Sequence, residues 1–188
     1  MLAAAPRRAV FLDRDGTILE EVGYLNHLSR FHLLDGVASA IRGLNLGAIP
    51  VIVITNQSGV ARRFFPEEMV QRVHEKMARE LAVAGAHVDG IYYCPHGAGD
   101  ECACRKPQTG MLERAAREHA LELKGSWMVG DKYEDVVLGH AAGGRSILVM
   151  TGYGRGEYEW NRGAWPRQPD FIVEDLQQAA DVVLREVK

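Results

Sequence analysis

Ala9-Val10-Phe11-Leu12-Asp13-Arg14-Asp15-Gly16-Thr17 runs four apolar residues straight into two aspartates that flank an arginine. An apolar run of this length that ends in a polar turn fits a strand covered on both faces, as in a parallel sheet. Gly16 lets the chain turn sharply there. Asp13 then stands at the carboxyl end of the strand, the edge at which open α/β sheets bind ligands, so two carboxylates at that point suit chemistry better than stability. The alternative is a solvated Asp-Gly turn, and the rest of the chain has to decide between the two.

Outward from that stretch, strand and helix signals alternate. Ile18 to His32 has no sustained period and reads as a loop or flap beside the site. Val37, Ala40, Ile41 and Leu44 have helical spacing, and β-branched Ile49-Pro50-Val51-Ile52-Val53-Ile54 is the clearest strand, ending in a polar loop, Thr55-Asn56-Gln57-Ser58-Gly59. Pro66 opens a helix in which Met69, Val73, Met77 and Leu81 recur every four residues through about Ala84, a stripe suited to core packing. Asp89 to Tyr93 reads as a third strand, Gly110 to Leu121 as a helix, and Trp127-Met128-Val129 as a fourth strand. A helical pattern follows to about Ala142, then a fifth strand over Ser146–Met150, Phe171-Ile172-Val173, and an amphipathic helix to about Val187. The Gly152-Tyr153-Gly154-Arg155-Gly156 stretch lacks dinucleotide-binding spacing and a following helix signal, and reads as a mobile loop. The expected fold is a three-layer α/β sandwich with a mainly parallel, Rossmann-like sheet, forming one domain over residues 1–188.

Composition excludes several classes of function. The net charge is −3, from 22 basic and 25 acidic residues, with no block of basic residues to mark a nucleic-acid or membrane-surface binder. No apolar run approaches the roughly 18 residues of a membrane helix, and the start, Met1 to Arg8, carries its charges after its short apolar piece, the reverse of a secretory signal. A cytoplasmic monomer acting on a small molecule is the expectation.

Placed at the ends of parallel strands, Asp13, Asp15, Thr55, Lys106, Asp131 and Asp135 meet at one rim. Four carboxylates there repel one another unless a divalent cation joins them, and oxygen ligands of this kind suit Mg²⁺ with room for a substrate phosphate. Lys106, the Thr55 hydroxyl and nearby backbone N–H groups can hold the other phosphoryl oxygens, so the rim is suited to phosphoryl transfer. The chain's three cysteines add a second constellation. Cys94-Pro95-His96, five residues, and Cys102-Ala103-Cys104 supply three sulfurs and one imidazole, a complete tetrahedral set for a structural Zn²⁺ in a loop spanning 94–104. Reduced thiols that happen to share a loop are the alternative. The loop leads directly into Arg105 and Lys106, so fixing it fixes the lysine. The remaining histidines, His27, His32, His74, His87, His119 and His140, have no ligand-like pattern and read as surface or helix-face residues.

Phe11-Leu12-Asp13-Arg14-Asp15-Gly16-Thr17, Thr55-Asn56-Gln57-Ser58, Lys106 and Gly130-Asp131-Lys132-Tyr133-Glu134-Asp135 resemble the four ordered motifs of the haloacid dehalogenase (HAD) superfamily. The resemblance implies that Asp13 attacks phosphorus and that Asp15 protonates the leaving oxygen and then activates water. It also implies Mg²⁺ held by Asp13, the Asp15 carbonyl and Asp131 with Asp135 in support, and a phosphoryl group stabilised by Thr55 and Lys106. Within the superfamily, Val22-Gly23-Tyr24, Ile91-Tyr92-Tyr93-Cys94-Pro95-His96 and Cys104-Arg105-Lys106-Pro107 resemble the histidinol-phosphate phosphatase-like subfamily. Gly110-Met111-Leu112 favours its heptose-bisphosphate branch, while the five residues between His96 and Cys102 resemble the histidinol-phosphate branch. The expected substrate is therefore a small phosphorylated sugar, a heptose 1,7-bisphosphate cleaved at its 7-phosphate, in the supply of surface-polysaccharide precursors, with histidinol phosphate as the alternative. By the same resemblance Arg105 and the Glu21, Gly23 and Tyr24 segment recognise the far part of the substrate, and Asn56, Gln57 and Ser58 line the site. Lys132 either contacts substrate or neutralises the neighbouring acids. A signalling phosphoacceptor domain is a more distant alternative, since it too gathers aspartates, a threonine and a lysine at strand ends.

Overall fold

In the computed structural model, which describes residues 7–187, six parallel strands form one sheet in the order β3-β2-β1-β4-β5-β6. The strands are β1 (Arg7–Leu12), β2 (Val51–Asn56), β3 (Gly90–Cys94), β4 (Leu121–Gly130), β5 (Arg145–Val149) and β6 (Phe171–Val173). The chain's first six residues, and with them most of the segment expected not to be a signal, lie outside the described residues. Among the described residues no helix is long and apolar enough to cross a membrane.

Alternate side chains of β1 go to opposite faces and both sets are buried, which is why the run reads as continuously apolar. Val10 and Leu12 join a core with residues of α1 (Val37–Leu46), α2 (Glu67–Val83) and α6 (Leu176–Glu186). Ala9 and Phe11 join a second core with α3 (Gly110–His119) and α4 (Tyr133–Ala141). Helices therefore cover both faces of a parallel sheet, the three layers expected from the alternation. The methionine stripe of α2 is core, as its spacing indicates, with Met69, Val73, Met77 and Leu81 all buried. From β1 the chain builds outward through β2 to β3 and then returns to place β4 on the other side of β1, so the switch in strand order falls at the carboxyl ends of β1 and β4.

Three local readings change. Thr55 and Asn56 belong to β2 rather than to the loop after it, since they continue the ladder opposite Tyr93 and Cys94. The α3 helix stops at His119 because Ala120 takes a left-handed conformation, and Leu121 opens a strand of ten residues rather than closing a helix. Its first residues pair with Arg7 and Arg8 across a register shift, which is why only Trp127–Val129 has a strand's apolar signature. The 152–156 stretch is not a mobile loop but leads into a helix, α5 (Gly154–Asn161), followed by a short 3₁₀ turn. Gly152 and Gly154 serve close approach: a Cβ on Gly152 would stand 2.2 Å from Asp131 Oδ2, and one on Gly154 1.7 Å from the Val149 carbonyl oxygen. Past α5, Trp165 stacks flat on Tyr133 with ring centroids 4.5 Å apart, tying the segment to the start of α4.

Candidate active site

The strand ends converge as the parallel topology requires. Asp13 follows β1 directly and its N–H donates to the Val129 carbonyl on β4 (2.9 Å). Asp131 follows β4, and Asp135 lies in the first turn of α4. Asp13, Asp131 and Asp135 each present a carboxylate oxygen such that all three lie within 4.8 Å of one another, and all three residues are buried. Burial pushes the Asp131 carboxyl up to about 8 and the neighbouring charges of Asp13 and Asp135 push the same way. Asp135 is pushed up to about 7 by burial and by Asp13, with Lys106 pulling against them. One Asp131 oxygen accepts from the Tyr153 N–H (2.8 Å), whereas the other, Oδ1, is buried with no hydrogen-bond partner.

Lys106, 2% exposed, answers part of this charge. Its Nζ lies 2.9 Å from Asp13 Oδ1 and 2.7 Å from Asp135 Oδ1. Burial alone would lower its pKa, but the two carboxylates more than reverse that and hold it above the ordinary lysine range. Its backbone is pinned to β2, where Asn56 accepts from the Lys106 N–H (3.0 Å) and donates to its carbonyl (3.3 Å). One ammonium does not neutralise three carboxylates, and an orphaned carboxylate oxygen is left among them. An oxygen-lined, electron-rich pocket of this kind fits a hard divalent cation such as Mg²⁺.

Asp15 is separate from the acid cluster. Arg14, 1% exposed, doubles back so that Nε and Nη2 donate to the Asp15 carboxylate at 2.8–3.1 Å. Gln57 Nε2 donates to Asp15 Oδ2 and to Thr55 Oγ1, each at 2.9 Å. Asp13 and Asp15 nevertheless line one cleft of about 210 Å³, with Thr55 and Lys106. Glu21, Gly23 and Tyr24 form part of the same wall, as do Ser58, Arg105 and Lys132. Asn56 and Gln57 line it too, but their amides are committed to Lys106, Asp15 and Thr55, so they hold the site as well as border it.

Lys132 lies between the cleft and the neighbouring acids. It faces the cleft, its Nζ stands 3.6 Å from Glu21 Oε2, and it packs 4.7 Å from the centre of the Tyr153 ring. Although burial lowers it, Asp13, Asp131 and Glu21 together raise its pKa, while burial raises that of Glu21 against the Gly23 N–H and Lys132.

The cysteine loop closes on itself. Sγ of Cys94, Cys102 and Cys104 and a ring nitrogen of His96 lie within 4.8 Å of one another. His96 Nδ1 is 3.2 Å from Cys104 Sγ and 3.4 Å from Cys94 Sγ. No disulfide forms, and the four donors converge as a tetrahedral ion requires. Arg105 Nη1 donates back to the His96 carbonyl (3.2 Å), so loop and cleft share a border.

Sequence reasoning missed four residues of the site. Arg14 stands out in the sequence only as the residue between two aspartates, yet it is buried. His74, read as a surface or helix-face residue, does lie on a helix face, but on the buried one, and its Nε2 stands 3.1 Å from Arg14 Nη1. The signal was available, because His74 shares the buried face of α2 with Val70, Val73, Met77 and Leu81. Tyr153 and Glu134 also line the cleft. Tyr153 sits in the stretch read as a loop, and Glu134 within a motif whose aspartates drew the attention.

Comparison with known proteins points the same way. A HAD-hydrolase-like family model matches residues 103–179. The chain is 41% identical over 191 residues to the D-glycero-D-manno-heptose-1,7-bisphosphate 7-phosphatase of Thermosynechococcus vestitus, spanning 94% of this chain and 95% of that one. It is 43% identical over 152 residues to D-glycero-beta-D-manno-heptose-1,7-bisphosphate 7-phosphatase of Escherichia coli K12, covering 77% of this chain and 80% of the relative. Among solved structures, the D,D-heptose 1,7-bisphosphate phosphatase of B. bronchiseptica, complexed with magnesium and phosphate, superposes with a TM-score of 0.87 at 35% identity, over 95% of this chain and 99% of that one.

Proposed function

The chain belongs to the HAD-like hydrolases, and from that premise we propose that it is a phosphatase that removes the 7-phosphate of D-glycero-D-manno-heptose 1,7-bisphosphate. The observation that carries the chemistry is the buried Asp13–Lys106–Asp135 ion network opening on the cleft that also holds Asp15. The substrate follows from end-to-end similarity to relatives named for it, which favours the heptose sugar over histidinol phosphate.

In this reading an Asp13 oxygen attacks the 7-phosphorus and the bond from phosphorus to the sugar oxygen breaks, leaving an aspartyl-phosphate. Asp15, held by Arg14 and Gln57, gives its proton to the departing sugar oxygen and then takes one from the water that hydrolyses the aspartyl-phosphate. Thr55 Oγ1 accepts from Gln57, which directs its own proton toward a phosphoryl oxygen, and Lys106 stabilises charge on the same group. Asp13, the Asp15 carbonyl and Asp131 would hold Mg²⁺, with Asp135 in support, and the ion's charge would stabilise the phosphoryl oxygens and offset the crowded carboxylates. Asp131 Oδ1, buried without a hydrogen-bond partner, is the oxygen left for it. Glu21, Gly23, Tyr24, Arg105 and Lys132 recognise the part of the substrate away from the reacting phosphate, and Ser58 completes the wall.

Residues 94–104 form a structural zinc loop within a single domain spanning 1–188, bound by Cys94, His96, Cys102 and Cys104. The protein acts as a cytoplasmic monomer on a small phosphorylated sugar, supplying heptose for nucleotide activation and surface polysaccharide. The test compares kcat/KM on the α- and β-heptose 1,7-bisphosphates with kcat/KM on histidinol phosphate. Preference for a heptose bisphosphate, with the 1-phosphate retained, is expected; preference for histidinol phosphate, or loss of the 1-phosphate, overturns the reading.

A further inference from the structure

His74 lies on α2, outside the cleft, and has no place in the chemistry above. It is nonetheless buried, and its Nε2 stands 3.1 Å from Arg14 Nη1. A guanidinium offers only donors, so the nitrogen facing it must carry the lone pair and the imidazole must be neutral. Burial first, then the Arg14 charge, agree with this by pushing His74 down to about 3, against the pull of Asp15.

Each of the three Arg14 nitrogens has a partner: at 1% exposure the guanidinium is cut off from bulk water, and its fork is divided between Asp15, facing Nε and Nη2, and His74, facing Nη1. A buried N–H left without an acceptor carries a large penalty, so removing the imidazole lone pair shifts the guanidinium toward another partner and moves Asp15 with it. We propose that His74 is a positioning residue for proton transfer: through Arg14 Nη1 it fixes the guanidinium that holds the Asp15 carboxylate facing the substrate's leaving oxygen. The chain of contacts runs from a rigid core helix to the cleft, so the proton carrier is aimed by an element that substrate never touches. The inference rests on the assignment of Asp15 as the proton carrier.

Leaving-group dependence separates positioning from mere support. A sugar alkoxide needs a proton as it departs, whereas p-nitrophenolate departs without one, and kcat/KM reports the steps through bond cleavage. His74→Phe keeps the ring packing and loses the acceptor; His74→Gln places an amide oxygen where Nε2 stood. For His74→Phe we expect kcat/KM on the heptose bisphosphate to fall by about tenfold or more and on p-nitrophenyl phosphate by less than about threefold, with His74→Gln near native on both. His74→Asn, one methylene too short to reach Arg14, replaces His74→Phe if that variant does not fold. Equal losses on the two substrates, no loss on either, or a folded His74→Gln that behaves like His74→Phe overturns the proposal. Asp15→Asn is run beside them. If it lacks the same leaving-group selectivity, the role of Asp15 fails first and the proposal falls with it.

Discussion

Gly16 and Asp131 meet with no space between them: a Cβ on Gly16 would stand 2.0 Å from Asp131 Oδ2, at a backbone φ of +83°. The contact joins the turn after β1 to the end of β4, the two strands on which the switch in sheet order turns.

Gly16→Ala should therefore displace Asp131 and lower kcat by about a hundredfold or more, with a matching loss of Mg²⁺ affinity, since a shift of about 1 Å in a catalytic group has effects of this size. Gly143→Ala, away from the cleft, is the control. Its φ is also positive, +74°, but nothing lies within 4 Å of a Cβ there, so it should cost about 1–2 kcal/mol of stability with kcat within a few-fold. Kinetics and thermal melts of the pair decide it, and equal effects on kcat would show that contact with Asp131 is not what matters.

The acid cluster makes stability depend on pH in a sense opposite to most carboxylates. Asp131 is raised to about 8 and Asp135 to about 7 from an ordinary 3.8, first by burial; Asp13 and Asp135 add to it at Asp131, and Asp13 and Glu134 add to it at Asp135, where Lys106 opposes. As the pH rises above 3.8 the unfolded chain releases these protons before the folded one does. Their contribution is thus fully present below pH 3.8 and is lost as the pH rises through 7 to 8. Mg²⁺ should restore it by favouring the ionised carboxylates. The Mg²⁺-induced rise in Tm should be larger at pH 8 than at pH 5.5, and Asp131→Asn should abolish the difference; an equal rise at both pH values in the native protein would contradict the account.

The zinc proposed for the cysteine loop should act on catalysis only through position. Carefully purified protein should contain about one zinc per chain, and Cys104→Ser should lower both Tm and kcat, because Cys104 precedes the Arg105 and Lys106 that border the cleft. Metal analysis with melts before and after chelation checks this. Less than about half a zinc per chain with no loss of stability on chelation would leave four free side chains in its place.

How much of this was legible beforehand divides along physical lines. Strands covered on both faces announce themselves as continuous apolar runs, so β1, β2 and the rim they build can be read directly, and parallel topology then brings Asp13, Thr55 and Asp131 together. What escaped depends on contacts between distant segments. Leu121 to Ser126 lacks a strand's pattern because it is held by pairing to Arg7 and Arg8 rather than by burial on both faces. The glycines at 152 and 154 look like flexibility but allow close backbone approach to Asp131 and Val149. Arg14 and His74 are ordinary surface residues by type, and only their meeting 60 positions apart makes them part of the site.

The central claim is that Asp13 carries the phosphoryl group. Acid quenching during turnover of heptose 1,7-bisphosphate, followed by mass analysis of the digested chain, tests it most directly. One phosphoryl group on the peptide bearing Asp13, absent from Asp13→Asn along with phosphate release, is the predicted result; an unlabelled Asp13 peptide with Asp13→Asn still releasing phosphate near the native rate would contradict it.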